Sequence, residues 1–171
     1  MEEMRETTTR YIGFCHLENE LILEIGEFAI WWNSFEGQCL NCNCNYESIQ
    51  KFAEKIKDKD EECFKEFSNV LKQRAKIVCG DNDSALQDYI KTKLYPSSDK
   101  RSRLNNKEKT EFPNKVMEFV HSGGTSCLEG ALLAIWRIRN NMFHGLKENF
   151  NIELFKSMNA VLNKIYSINW E

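Results

Sequence analysis

Proline and glycine are scarce in this chain, with 2 and 8 copies in 171 residues. Architectures built from many short strands depend on such breakers at their turns, so their rarity argues against a sandwich or barrel and favours long helices. No run of about 18 apolar residues occurs, so no helical membrane span is expected. The start, Met1-Glu2-Glu3-Met4-Arg5-Glu6, lacks the basic stretch and apolar core of a secretory leader. A large charge excess is missing too. The 23 Lys and Arg stand against 26 Asp and Glu, a net charge of -3, so any contact with nucleic acid must come from a local basic patch. Seven cysteines is an odd number in a chain without an export signal. They read as reduced thiols of a cytoplasmic protein rather than a disulfide framework. Gly-rich phosphate loops, G-x-S-x-G elbows and H-E-x-x-H metal sites are also missing, and no cofactor is expected.

What is present is an ordinary globular balance, 42% hydrophobic and 29% charged residues. The length suits one domain over 1–171, and the pattern predicts an all-α bundle of four to six helices. Leu17, Leu21, Ile25, Phe28, Trp32 and Phe35 recur at helical intervals and predict a first helix over about 17–35. Leu23 and Ile30 lie roughly opposite that face, so this helix needs a second apolar partner, either another layer or a second protomer. A helical region over about 46–78 carries Ile49, Phe52, Ala53 and Ile56, then Cys63, Phe64, Phe67, Val70, Leu71 and Ile77, with a break near Lys57-Asp58-Lys59-Asp60. A shorter helix follows, capped by Asp83 or Ser84 and stopped by Pro96. Residues 96–112 read as a polar loop, and a short helix is expected from Asn114 to His121. Ser126-x-x-Glu129 fits a capping box for a helix from Cys127 to Phe143 or His144. A last helix carries Phe155, Met158, Leu162 and Ile165.

Cys39, Cys42 and Cys44 form C-x2-C-x-C. Thiolates at this spacing bind zinc when a fourth ligand is near, here Cys15, His16, Cys63 or Cys79. No second C-x2-C and no spaced His pair accompanies them. Free thiols in a loop are therefore the expectation, and these three remain weak metal candidates.

The anomaly in the pattern is Arg139. On a helical wheel Leu128, Leu132, Ile135 and Met142 fall within about 80° of arc, and Arg139 lies in their midst. Arg137 falls on the other side, where an exposed arginine belongs. A guanidinium on an apolar stripe must be paired or hydrogen-bonded, because an isolated buried charge is very costly. Glu20, Glu24 and Glu129 are the structural partners to expect; an anionic ligand is the functional one. His144, five residues on, is not on the same stripe as Arg139, whereas Asn140 is one turn from it. A histidine at a helix C-terminus is favoured as imidazolium and is placed to move protons near neutral pH.

The segment Ile138-Arg139-Asn140-Asn141-Met142-Phe143-His144-Gly145-Leu146-Lys147 resembles the signature of the HEPN superfamily: an Arg, often followed by Asn, and a His a few residues later near the end of a long helix. The resemblance implies a symmetric, HEPN-like up-and-down helical dimer in which two motif segments form one composite groove. Active members are metal-independent endoribonucleases. On this pattern Arg139 would bind the scissile phosphate and His144 would act as general acid or base. Asn140 would orient a ligand or the histidine, with Asn141 and Lys147 as further substrate contacts. The implied partners are RNA and a second copy, with an antitoxin or regulatory protein for toxin or anti-phage members. Some toxin-type members carry Tyr two residues after the His; Leu146 stands there in this chain, which sets that control aside. Other members are non-catalytic modules that bind a nucleotide, an RNA or a protein in the same groove.

Overall fold

A computed structural model describes residues 18–56, 62–96, 105–143 and 151–168. In chain order these form α1 (Asn19–Gln38), α2 (Tyr46–Ile56), α3 (Glu62–Cys79), α4 (Ala85–Tyr89), a π-helical turn (Ile90–Leu94), α5 (Asn106–His121), α6 (Leu128–Phe143) and α7 (Ile152–Ile168). The described residues contain no strand, so the chain is all-α, as the scarcity of breakers predicted. None of the described helices is long and apolar enough to cross a membrane.

The middle of α6 organises the packing. Ala131, Leu132, Leu133, Ala134 and Ile135 are consecutive and have no exposed surface. A helix apolar on every side must be surrounded, and α5, α2, α3 and the π turn all contact α6. The last helix, α7, lies against α1 and α3, burying Phe155, Met158, Leu162 and Ile165 completely. One hydrophobic cluster takes residues from every described helix. The inner face of α1 buries Leu21, Phe28, Trp32 and Phe35, as its spacing predicted, while Leu23 and Ile30 point outward.

Several boundaries differ from the sequence expectation, each for a local reason. Helix α5 begins at Asn106 rather than Asn114, because Asn105 and Glu108 form a reciprocal capping box. Polar residues that read as loop are thus its first two turns, and Pro113 lies inside the helix. The capping box expected at Ser126 and Glu129 does not form. Cys127 is left-handed (φ 56°), the helix starts at Leu128, and Glu129 pairs with Lys115 of α5. Ser84 precedes α4 without a side-chain cap. Ile77, placed on the apolar stripe of α3, is exposed. The break near 57–60 lies outside the described residues.

Helices α5 and α6 cross at Gly130. A Cβ on Gly130 would overlap the Lys115 main-chain carbonyl and press on Phe119. In an open helix Gly→Ala gains up to about 1 kcal/mol. Here the clash is with backbone, so strain of about 1–3 kcal/mol outweighs that gain. Gly130→Ala is expected to lower the urea midpoint, whereas Gly26→Ala, where nothing lies within 4 Å, is expected to raise it.

Candidate functional site

The exit of α6 carries polar side chains out of a fully buried helix. Helix ends leave carbonyls without intrahelical partners, and those of the π turn are satisfied from α6. Tyr95 Oη donates to the Leu133 carbonyl (3.0 Å). Arg137 Nε donates to the Leu94 carbonyl, and its guanidinium lies 5.6 Å from the Tyr95 ring centre. Asn141 Nδ2 donates to the carbonyls of Lys93 and Leu94, each at 3.3 Å. Residues 133, 137 and 141 share one face of α6, so three successive turns fasten the π turn. Arg137, expected on the exposed side, is half-buried and engaged in this seam.

Arg139 leaves α6 on the opposite side, toward α1. It is half-buried, with its guanidinium 6.0 Å from the Trp32 ring centre, and Nη1 donates to Asn140 Oδ1 (3.1 Å). The carboxylates expected as partners are engaged elsewhere. Glu20 binds Lys156 (2.6 Å), Glu24 accepts from Asn159 (2.9 Å), and Glu129 binds Lys115. Glu36, one turn on from Trp32, accepts from Trp32 Nε1 (3.0 Å). An aromatic face within cation–π reach and a neighbouring amide suit a guanidinium kept partly dry.

The cysteine loop forms part of the same place, which the sequence did not suggest. Helix α1 ends with Asn41 and Cys42 left-handed (φ 52° and 58°), and Cys42 N bonds back to the Glu36 carbonyl (2.9 Å). This wrapped ending brings Cys44 into the electrostatic field of Glu36 and Arg139. Burial pushes the Cys44 thiol up to about 12, Glu36 adds to the rise, and Arg139 offsets part of it. Burial likewise pushes Cys39 up to about 11, with Lys55 opposing. Both stay thiols at neutral pH. Cys42 is exposed, and among the described residues no three His, Cys, Asp or Glu are grouped to hold a metal ion.

The structure therefore brings together Arg139 and Asn140, and adds Trp32, Glu36 and Cys44. Asn140 orients the arginine. Asn141 is 5% exposed, and its amide nitrogen is committed to main chain, leaving a buried Oδ1 without a hydrogen-bond partner. His144 and Lys147 lie outside the described residues. No signal local to α6 could have found Trp32 or Cys44, since both arrive through tertiary packing. No family model matches the chain, and neither does a curated protein or a solved structure.

Two outcomes follow for the thiols. Iodoacetamide near neutral pH is expected to modify exposed Cys42 well before Cys39 or Cys44, read by peptide mass spectrometry. Stability is also expected to fall with alkalinity. Cys39 and Cys44 rise from an ordinary value of 9.0, and buried Tyr89 rises from 10.0 to about 12. Between those limits the folded state holds protons that the unfolded chain has released, so their contribution is complete below about pH 9 and is lost as pH rises through 11–12. Urea midpoints should drop between about pH 8 and pH 10.5, and less steeply in Cys44→Ala.

Proposed function

We propose that the chain is a HEPN-type domain that cleaves RNA without a metal ion, as a homodimer whose Arg139 and His144 segments share one groove. The observation that carries the reading is the half-buried Arg139, set on the apolar face of α6, 6.0 Å from the Trp32 ring centre and steadied by Asn140. A guanidinium held this way is oriented before an anion arrives, which is what electrostatic stabilisation of a crowded phosphate requires.

The chemistry needs an anion binder and a proton carrier. The ribose 2′-oxygen attacks the adjacent phosphorus as an imidazole takes its proton. The 5′-oxygen leaves as a second imidazole, from the other copy, returns a proton. The products are a 2′,3′-cyclic phosphate and a free 5′-hydroxyl. Arg139 neutralises the charge that grows on the non-bridging oxygens. His144 moves the protons, and Lys147 adds a contact to the RNA backbone. A role as toxin or anti-phage effector in the cytoplasm, with an antitoxin or regulator as partner, belongs to the same reading.

RNA incubated with the protein in EDTA is expected to be cut, leaving cyclic phosphate ends. Arg139→Ala should slow cleavage about 10²–10³-fold, and His144→Ala about 10²–10⁴-fold. Cleavage that requires a metal, or that survives both substitutions, would sink the mechanism. Binding of RNA or nucleotide that is lost in Arg139→Ala, with no turnover by the wild type, would identify the groove as a recognition module instead.

A further inference from the structure

A run of rings and a cation lies close to the Arg139 site and has no part in the chemistry there. Tyr46 opens α2, two residues after Cys44, the thiol that lies in the field of Arg139. Its main chain is fixed by a reciprocal pair of bonds. Asn45 Oδ1 accepts from Ser48 N (2.9 Å), and Ser48 Oγ accepts from Asn45 N (3.0 Å). The half-buried Tyr46 ring stacks on buried Phe112 of α5, with centres 4.7 Å apart and planes at 23°. Phe112 in turn lies 6.2 Å from half-buried Trp136 of α6. Trp136 is one helical turn before Asn140, which steadies Arg139. The rings therefore lead from the start of α2 back to the arginine. Phe112 takes one face of the Tyr46 ring, and the ammonium of exposed Lys107 lies 5.5 Å from the ring centre. The carboxylates felt by Tyr46 gather toward its hydroxyl: Glu129, bound by Lys115, and exposed Glu111.

We propose that Tyr46 stacks one nucleobase of a single-stranded RNA while Lys107 holds a neighbouring phosphate, on the strand whose scissile phosphate meets Arg139. The subsite rests on the reading of Arg139 as an RNA binder and names what grips the strand beyond it. An exposed cation over a ring contributes about two- to fivefold in affinity. A base stacked on an aromatic ring contributes about five- to 150-fold. The base therefore takes the ring, and the displaced ammonium pairs with a phosphate, a stronger partner for a point charge. Phe112, with Tyr95 (6.3 Å) and Trp136 around it, holds the Tyr46 ring in place before the base arrives, so little ordering entropy is lost. Glu129 and Glu111 repel phosphates from the hydroxyl end, which leaves the backbone to Lys107. Stacking responds to the breadth of a base rather than to its hydrogen-bonding edge, so purines are held more tightly than pyrimidines.

The probes are a 2′-O-methyl hexa-adenylate, which cannot be cut because its attacking hydroxyl is blocked, and a base-free hexamer of equal charge. Fluorescence anisotropy with the full chain in EDTA is expected to show the hexa-adenylate bound about tenfold more tightly, and more tightly than hexa-uridylate. Tyr46→Leu should erase the preference for bases, and Tyr46→Phe should keep it. Lys107→Gln should weaken both hexamers and reduce the slope of log affinity against log salt by about 0.7, one phosphate contact on a single strand. Lys107 is exposed in the first turn of α5, where losing a positive charge costs the helix nothing, so this variant keeps the test sound if Tyr46→Leu folds poorly. Equal affinity for the two hexamers, or no binding of either, overturns the subsite. So does a base preference that survives Tyr46→Leu, or a salt slope unchanged in Lys107→Gln. Cleavage is read separately. RNA cut by a chain with no base preference removes the subsite alone, whereas base preference without cleavage keeps the subsite and removes the nuclease.

Discussion

Five consecutive residues without exposed surface, Ala131 to Ile135, set the conditions for the whole molecule. A helix buried on every side offers no face on which to leave polar groups, so its neighbours must enclose it and its ends must be satisfied by named partners. The close crossing with α5 follows, because Gly130 lets the Lys115 main chain approach where any larger residue would push it away. The seam to the π turn follows as well. Arg137 and Asn141 satisfy carbonyls at the end of the π turn, and Tyr95 returns a bond to the Leu133 carbonyl of α6. Arg139 is the polar residue that this arrangement directs toward α1 and the cysteine loop.

Much of the helical framework was legible in the sequence because amphipathic spacing is a local property. The stripe of α7 is buried as its intervals implied, and the inner stripe of α1 likewise. The structure departs from the spacing where the deciding interaction is masked by its surroundings or is long-range. The Asn105–Glu108 box was a local signal, hidden by the polar composition around it and by Pro113. The box at Ser126 and Glu129 had the right residue types but the wrong outcome. Glu129 instead binds Lys115 across the α5–α6 contact. The π turn had no sequence signature at all, since it is fastened by two side chains more than forty residues away, Arg137 and Asn141, and by Tyr95 reaching the Leu133 carbonyl.

The site divides in the same way. Arg139 was detectable because it violates a periodic pattern, and such violations concentrate where a protein does something other than fold. The pairing of Glu20, Glu24 and Glu129 with Lys156, Asn159 and Lys115 was not detectable, because one-dimensional spacing cannot say which donors reach those carboxylates. The cysteines show the converse. Their spacing read as free thiols in a loop and a weak metal candidate, and the fold raises two of the thiols by burial and sets one in the field of a guanidinium and a carboxylate. Their spacing along the chain was local information, whereas their protonation depends on tertiary burial.

The arginine site and the apolar outer side of α1 both depend on the orientation of that helix. Holding Trp32 near Arg139 requires the helix to turn Phe28, Trp32 and Phe35 inward, against α7 and the core. At 100° per residue that orientation forces Leu23, Gly26 and Ile30 to the far side. Among the described residues no rotation of α1 buries both faces, because shielding Ile30 would expose Trp32 and strip the guanidinium of its aromatic neighbour. The exposed apolar side is thus not a defect of packing at the surface. It is the geometric consequence of the same orientation that builds the wall of the arginine site, which is why α1 carries large apolar residues on two faces.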